Sequence, residues 1–298
     1  SNTTVIEPAG AANLVVSELM YHPPPPDPSE ADLGFEDESA FEYIEVTNIG
    51  PSVIDLTGIQ FTEGITFAFP SMTLAPAARS IVPRNREAFL LRYPESRSSL
   101  VSGEYGRGNG NKLSNNGEEI ILYSAGGQII RRFTYLDQAP WPSSPDGLGP
   151  SLSLVAPQSN PDHSSGGNWR PSVFPGGSPG ASDAVDFEGN PDADPDGNGM
   201  SAFLEHGLGQ ALPPVVIQID PQDGGATISF NRNLAADDVI FSIEVSRDLR
   251  VWATAGTEIL ESRDNGDGTA FESWSVKEVP PDPGENLFLR LRLDRRRD

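Results

Sequence analysis

One short acidic segment has the residue types and the spacing that bind a divalent cation. Residues 194–199 (DPDGNG), five further residues and then Glu205 fit the pattern D-x-[DN]-x-[DN]-G-x5-E without a mismatch. Oxygens at positions 1, 3 and 5 of such a loop converge on one side, and Gly199 permits the sharp turn at position 6. The carbonyl of Met200 adds an oxygen, and Glu205 returns from a helix that begins near Ser201. The sequence therefore predicts a structural Ca²⁺ site with these ligands: Asp194, Asp196, Asn198, Met200 and Glu205.

Two features distinguish this segment from a full EF-hand. No helix can precede Asp194, because Pro191 and Pro195 flank it, and position 8 is Ser201 instead of an aliphatic residue. The segment resembles the single loop–helix calcium motifs of exported bacterial proteins, including dockerin halves. The alternative is an acidic linker that binds no metal. In the first interpretation, calcium would stiffen the joint between the domains on either side.

Signals for catalysis are few. Residues 176–180 (GGSPG) match the G-x-S-x-G nucleophile elbow, but Pro179 lacks the backbone N–H that an oxyanion hole needs. His22, His163 and His206 have no zinc-type spacing. We therefore predict that the chain is not an enzyme. A glycosidase with paired carboxylates stays open, because spacing along the chain does not give spacing in the fold.

The composition and charge of the chain exclude several classes of partner and site. The chain has 298 residues, of which 20 are basic and 43 acidic, for a net charge of -23. Such a field repels phosphate backbones and argues against a nucleic-acid partner. The absence of Cys excludes disulfides and thiolate metal sites.

No apolar run approaches the ~20 residues of a membrane span, and no signal peptide opens the chain. Because it starts at Ser1 without Met, we expect a mature or excised fragment.

The frequent Gly and Pro residues favour short strands joined by tight turns, after an N-terminal tether over residues 1–13. A first β-sandwich is predicted over residues 14–183, with a long acidic loop at 23–38 and a helix at 85–93. Its clearest strands are 14–21, 41–48, 65–69, 80–83, 118–123 and 128–135. In 41–48, Ile44 and Val46 share one face while Glu45 and Thr47 take the other, the period of a half-buried strand.

The remaining sequence divides into a linker and a second sandwich. Residues 184–212 are predicted to be an acidic calcium-binding linker with a short helix at 202–208. Residues 213–298 alternate polar and apolar positions and predict a small immunoglobulin-like or fibronectin-like β-sandwich. Val245, Leu249 and Trp252 are expected to fill its core. The predicted fold class is all-β: two immunoglobulin-like β-sandwiches joined by an acidic calcium-binding loop–helix linker.

Short motifs in the first predicted domain follow one order along the chain. They are residues 17–23 (SELMYHP), 42–48 (EYIEVTN), 55–58 (DLTG), 74–76 (LAP), 113–118 (LSNNGE), 141–142 (WP), 147–152 (GLGPSL), Trp169 and 177–180 (GSPG). Through these motifs, residues 13–182 resemble the lamin-tail domain family, an immunoglobulin-like sandwich found in nuclear lamins and in many exported bacterial proteins. The resemblance implies scaffolding, adhesion or targeting beside other modules. It does not imply a nuclear location, because no coiled-coil rod precedes the domain.

The residues of these motifs are interpreted as structural. Gly58, Gly117 and Gly147 suit turns that need a positive φ. Glu18 and Glu45 are expected to be hydrogen-bond partners of strands and loops and not catalytic carboxylates.

Three functions follow as expectations. The first is a non-catalytic, secreted or cell-surface scaffold, adhesion or targeting fragment of a larger bacterial protein, whose partners are other modules of that protein or a cell-surface protein. The second is a carbohydrate-binding appendage of a polysaccharide-active enzyme, which exposed, coplanar Trp and Tyr side chains would favour. Burial of Trp141, Trp169, Trp252 and Trp274 would favour the first. The third is a hidden hydrolase, which would need a water-filled cleft lined by two close carboxylates.

Overall fold

The computed structural model divides the chain into two compact units, Ser1–Asp183 and Ala184–Asp298. It describes residues 5–106, 111–209, 215–219, 225–277 and 286–296. Strands dominate both units, so the predicted all-β class is confirmed. In the described part of the chain, no helix is long and apolar enough to cross a membrane.

The larger sheet of the first unit has five strands in the order β12-β11-β2-β3-β8. Its neighbouring strands are antiparallel. The bounds are β2 (Leu14–Met20), β3 (Tyr43–Asn48), β8 (Arg79–Pro83), β11 (Leu152–Leu154) and β12 (Trp169–Pro171). Strand β2 has a bulge between Val16 and Glu18, after which Glu18 stands opposite Glu45 of β3. This register brings two carboxyl groups together on one face of the sheet.

A second sheet packs against the inner face of the first. It has four strands in the order β10-β9-β5-β6, and a small sheet β1-β4-β7 adjoins it. The bounds are β1 (Ile6–Pro8), β4 (Val53–Asp55), β5 (Gln60–Glu63), β6 (Phe67–Ala68), β7 (Thr73–Leu74), β9 (Glu118–Tyr123) and β10 (Ile129–Tyr135). One buried cluster draws residues from both large sheets, including Ile44, Val46, Ile120 and Leu122. The first unit is therefore a β-sandwich whose two large sheets share one core.

The alternation in β3 is present, but both of its faces are covered. Ile44 and Val46 enter the sandwich core as predicted, yet all six residues of β3 are buried. The opposite face, which carries Glu45 and Thr47, lies beneath helix α2 (Arg86–Arg92), a 3-10 turn (Pro94–Ser99) and residues 174–181. The expectation that β3 is half-buried was wrong, because the alternation of polar and apolar residues within a strand does not show which distant segments cover its polar face.

Two segments are more ordered than the sequence indicates. The acidic segment 23–38 contains helix α1 (Pro28–Asp32), which a capping box of Asp27 and Glu30 begins. Arg92 fixes this helix by bonding both carboxylate oxygens of Glu30, with N–O distances of 2.8 and 2.6 Å. Within the predicted tether 1–13, strand β1 pairs in parallel with β4, and Ala9 is buried in the core. The described part of that tether therefore belongs to the first unit.

The second unit also has two antiparallel sheets around one core. Their orders are β13-β14-β18-β17 and β16-β15-β19. The bounds are β13 (Val216–Ile219), β14 (Ala226–Asn233), β15 (Val239–Ser246), β16 (Ala253–Thr254), β17 (Thr257–Asp264), β18 (Thr269–Val276) and β19 (Phe288–Arg295). Ile228, Phe230 and Ile243 lie in its core, and Val245 packs against it. Leu249 was expected there but is 56% exposed with φ +62°, because it occupies a turn after β15.

The segment predicted as a linker folds onto this second unit. Helix α3 (Ala202–Leu208) forms at the predicted position. Phe203 of the helix and Phe187 before it form a buried cluster with Ala236 and Val239. The predicted linker end near residue 212 lies outside the described residues.

Candidate calcium loop and buried carboxylates

The predicted calcium ligands lie close together around Asn198. The side-chain nitrogen of Asn198 donates to Asp196 at 2.9 Å and to Glu205 at 2.8 Å. The backbone N–H groups of Asn198 and Gly199 donate to the Asp194 carboxylate at 3.1 and 3.0 Å. The side-chain amide of Asn198 thus bonds two carboxylates, and the backbone N–H of the same residue bonds the third.

Local backbone chemistry explains why the loop adopts this shape. Gly197 and Gly199 have φ values of +71° and +88°, in the region that glycine tolerates. Ser201 caps helix α3 by accepting a hydrogen bond from the N–H of Leu204. The N–H of Ala202 donates to the carbonyl of Ala193 at 2.6 Å, which fastens the two ends of the loop together. Glu205 therefore reaches the loop from the first turn of the helix.

The donor set has the chemistry that calcium prefers, since it consists of carboxylate, amide and carbonyl oxygens. Among the residues that the structure describes, however, no group of three or more His, Asp or Glu side chains is arranged so as to hold a metal ion. Asp194, Asp196 and Glu205 approach Asn198 rather than a common point. Calcium binding consequently stays a prediction.

The three histidines lie in separate places. His22 bonds Asp146 at 2.6 Å, and His163 is buried in the first unit. His206 bonds Asp238 at 2.8 Å, with only 13% of its side chain exposed. Helix α3 turns this side chain inward, onto the second unit.

The first unit contains a buried pair of carboxyl groups that the sequence placed on separate strands. Glu18 is 1% exposed and Glu45 is fully buried. One oxygen of Glu18 accepts hydrogen bonds from the Tyr43 hydroxyl at 2.7 Å, the Ser151 hydroxyl at 2.5 Å and the Ser178 N–H at 2.8 Å. Burial, followed by the nearby charge of Glu45, raises the pKa of Glu18 to about 7.

Glu45 has a comparable set of partners. Its Oε1 accepts from the guanidinium of Arg79 at 2.5 Å and from the hydroxyl of Ser17 at 2.7 Å. Its Oε2 accepts from the N–H of Gly180 at 2.7 Å. The interpretation of Glu18 and Glu45 as hydrogen-bond partners of strands and loops is therefore confirmed. The pair lies under protein and not in a water-filled cleft.

A third buried carboxyl group holds another loop. Glu42 is 1% exposed and accepts from the N–H of Leu113 at 2.9 Å and from the hydroxyl of Tyr105 at 3.0 Å. Burial raises the pKa of Glu42 to about 8, against the lowering effect of the Leu113 N–H and of Arg84. The sequence contained a signal for this role, because Glu42 opens the second family-like motif and Leu113 opens the fifth.

Aromatic side chains are largely enclosed. All four Trp and all six Tyr residues lie among the described residues, and none of them is exposed. Trp141 and Trp169 are 3% and 2% exposed, with ring centroids 5.8 Å apart. Trp274 packs against the core of the second unit. Trp252 is half-buried, and the guanidinium of Arg290 covers its ring at 4.1 Å from the centroid. No coplanar Trp or Tyr platform is therefore available.

Comparison with known proteins gives one match. Residues 7–137 match the family model of the Lamin Tail Domain. This range contains the first five of the motifs above, together with β2 to β10 and the last two residues of β1, and supports the lamin-tail family for the first unit. No curated protein and no solved structure matches the chain significantly. The matched range ends before residues 141–180, so the last motifs rest on the sequence resemblance alone.

Proposed function

We propose that this chain is a non-catalytic scaffold, adhesion or targeting fragment of a larger secreted or cell-surface protein, and that calcium stiffens its second unit. The observation that carries this proposal is the structural role of the buried carboxyl groups. Glu18, Glu42 and Glu45 each accept a backbone N–H from a loop, so they hold the fold together instead of facing a substrate. An immunoglobulin-like lamin-tail domain is compatible with such a module.

A carbohydrate-binding role has less support. Sugar rings stack on exposed aromatic faces, whereas Trp141 and Trp169 are buried and Arg290 occupies the face of Trp252. Retardation of the protein in gels that contain a panel of polysaccharides, run with calcium, tests this alternative directly. We expect no retardation. Retardation by one polymer would replace the scaffold proposal with a carbohydrate-binding one.

The calcium part of the proposal concerns residues 194–205. Asp194, Asp196, Asn198 and Glu205 would hold the ion, with the carbonyl of Met200, and the ion would neutralise the repulsion among three neighbouring carboxylates. The loop is fastened to α3, and α3 packs on the second unit through Phe203. Binding should therefore stabilise the second unit and leave the first unchanged.

Thermal unfolding with excess calcium and with chelator measures this effect. Binding to the folded state alone adds about 2 kcal/mol when the calcium concentration is roughly 30 times the dissociation constant. For a unit of this size we expect a rise in Tm of at least about 5 °C. Asp194→Ala combined with Glu205→Ala should abolish that rise.

The matched control removes two acidic residues from the same segment but outside the pattern. Asp186→Ala combined with Glu188→Ala changes the net charge equally, and both positions are exposed. This variant should keep the full response to calcium. Identical unfolding of the unaltered protein with calcium and with chelator would refute the calcium proposal and leave the scaffold proposal standing.

A further inference from the structure

On the outer face of the five-stranded sheet, five side chains, one from each strand, form a row across the strands. The backbone partners are Arg170 of β12, Ser153 of β11, Glu18 of β2, Glu45 of β3 and Ile81 of β8. Glu18 and Glu45 stand directly opposite each other, a placement that is unfavourable when both carry charge. The row is polar over most of its length, yet every member is buried.

Residues 173–183, here called the strap, cover this row. The strap is held in the middle by Glu18, which accepts the N–H of Ser178, and by Glu45, which accepts the N–H of Gly180. Its two ends meet at Asp183, which accepts the N–H of Val173 at 2.7 Å. A surface loop of this length whose ends lie together is an Ω-loop.

The strap is fitted closely to the carboxyl pair on one side only. A Cβ atom at Gly177, whose φ is +86°, would overlap the Tyr43 hydroxyl and a Glu18 oxygen. On the other side, the strap borders an open cavity of about 450 Å³ that Tyr93, Arg92 and Pro24 also line. No residue of the strap belongs to the buried core of the sandwich, so outward movement would break the strap's hydrogen bonds, including those from the Ser96 hydroxyl to the Pro179 carbonyl and from the Gly176 N–H to the Gly149 carbonyl, without opening that core.

The charges around the pair are unbalanced. Glu45 has one cation, Arg79 of β8, while the adjoining Arg170 is bound to Asp183 at 2.6 Å. The groups facing Glu18 are Tyr43 of β3 and Tyr93 beyond α2, and burial raises the pKa of both phenols. Arg79 bonds Glu45, and Glu18 lies buried beside that carboxyl group, so the closed arrangement favours retention of a proton by Glu18.

We propose that the strap is a proton-linked cover, closed when Glu18 retains a proton beside Glu45 and opened when Glu18 is ionised. Opening admits water to Glu18, which then loses its proton more readily. The open form therefore binds fewer protons, and linkage requires that rising pH favours it. Opening would join the cavity to a polar surface that carries Glu18, Glu45, Tyr43 and Ser151.

Hydrogen exchange at the amides of Gly177, Ser178 and Gly180 tests the proposal on the full chain. The opening constant, after correction for the intrinsic exchange rate, should rise by on the order of 10- to 100-fold between pH 5 and pH 8. This range follows from the pKa of about 7 for Glu18 in the closed form and its ordinary value of 4.5 in water. Core amides of β3 exchange only through global unfolding, so their opening constants should stay well below those of the strap at every pH.

Three variants test whether ionisation of Glu18, and not of another buried group, opens the strap. Glu18→Gln keeps an acceptor for Ser178 but cannot ionise, so the strap should remain closed across the pH range. Glu42→Gln removes another buried carboxyl group outside the row and should leave the strap's pH response intact. Gly177→Ala should leave the strap open at every pH.

The pH dependence of the strap's opening constant in the wild-type protein is sufficient to refute the proposal. An opening constant that does not change with pH would refute it, as would strap opening constants no larger than those of the β3 core amides, which would show that the strap exchanges only through global unfolding. A pH response that persists in Glu18→Gln would assign the proton to another group and would also refute it.

Discussion

The buried ion pair between Arg170 and Asp183 offers a sharp test of how the first unit is stabilised. The side chains are 3% and 4% exposed, and the guanidinium bonds the carboxylate at 2.6 and 3.3 Å. Arg170→Met leaves Asp183 charged in a place that water does not reach. Removing one partner of a buried pair costs about 3 to 5 kcal/mol. For a unit of this size, that corresponds to a fall in Tm of roughly 6 to 20 °C.

The pH dependence of this loss has a definite sign. The Arg170 guanidinium lowers the pKa of Asp183 against the raising effect of burial. The pair therefore contributes stability above the ordinary pKa of an Asp, and that stability is lost as the pH falls through the lowered value. In Arg170→Met, Asp183 can escape its penalty by taking up a proton. The difference between variant and wild type should consequently shrink as the pH falls toward 4.

Urea-induced unfolding followed at backbone amides of the first unit separates this effect from the second unit. Arg132→Met is the matched control, because Arg132 bonds Glu119 at 2.8 Å on the surface with 58% of its side chain exposed. This control should change stability little. Replacing both buried partners, Arg170→Met with Asp183→Asn, should recover much of the loss, because Asn carries no charge and keeps an acceptor for the Val173 N–H. A cost for Arg170→Met no larger than that of Arg132→Met would refute the reasoning.

Two further predictions concern the first unit. Because burial raises the pKa of Glu42 from 4.5 to about 8, the folded state binds the proton more tightly than the unfolded state. Stability should therefore fall as the pH rises from about 5 to 8, by on the order of 1 to 4 kcal/mol, and Glu42→Gln should flatten the profile measured by urea unfolding at each pH. Gly117→Ala should destabilise strongly, because its φ is +85° and a Cβ would overlap the backbone carbonyl of Tyr135. Gly127 also has a positive φ, +77°, but the space around it is open, so Gly127→Ala should cost about 1 kcal/mol of stability. Equal losses of stability for the two variants would show that backbone strain alone, and not the overlap at Gly117, determines the cost.

Local features of the sequence determined the elements and their local chemistry. The alternation in residues 41–48 predicted β3 and placed Ile44 and Val46 on its core face, and the turn glycines Gly58, Gly117 and Gly147 have the positive φ values expected. Helix α3 begins after Ser201 as its cap residue indicated. These features depend on residues within one or two turns of each other, so the sequence carries them in full.

Only the tertiary structure decided which polar faces are covered. The period of β3 assigns Glu45 to the face opposite the core but cannot show that Gly180, 135 positions later, donates to it. The same holds for Arg92 and Glu30, whose ion pair orders an acidic segment that was expected to be a loop. Burial of a polar side chain depends on distant segments that bring the matching donors, and no local pattern encodes that match. The buried carboxyl pair beneath the strap arises in this way.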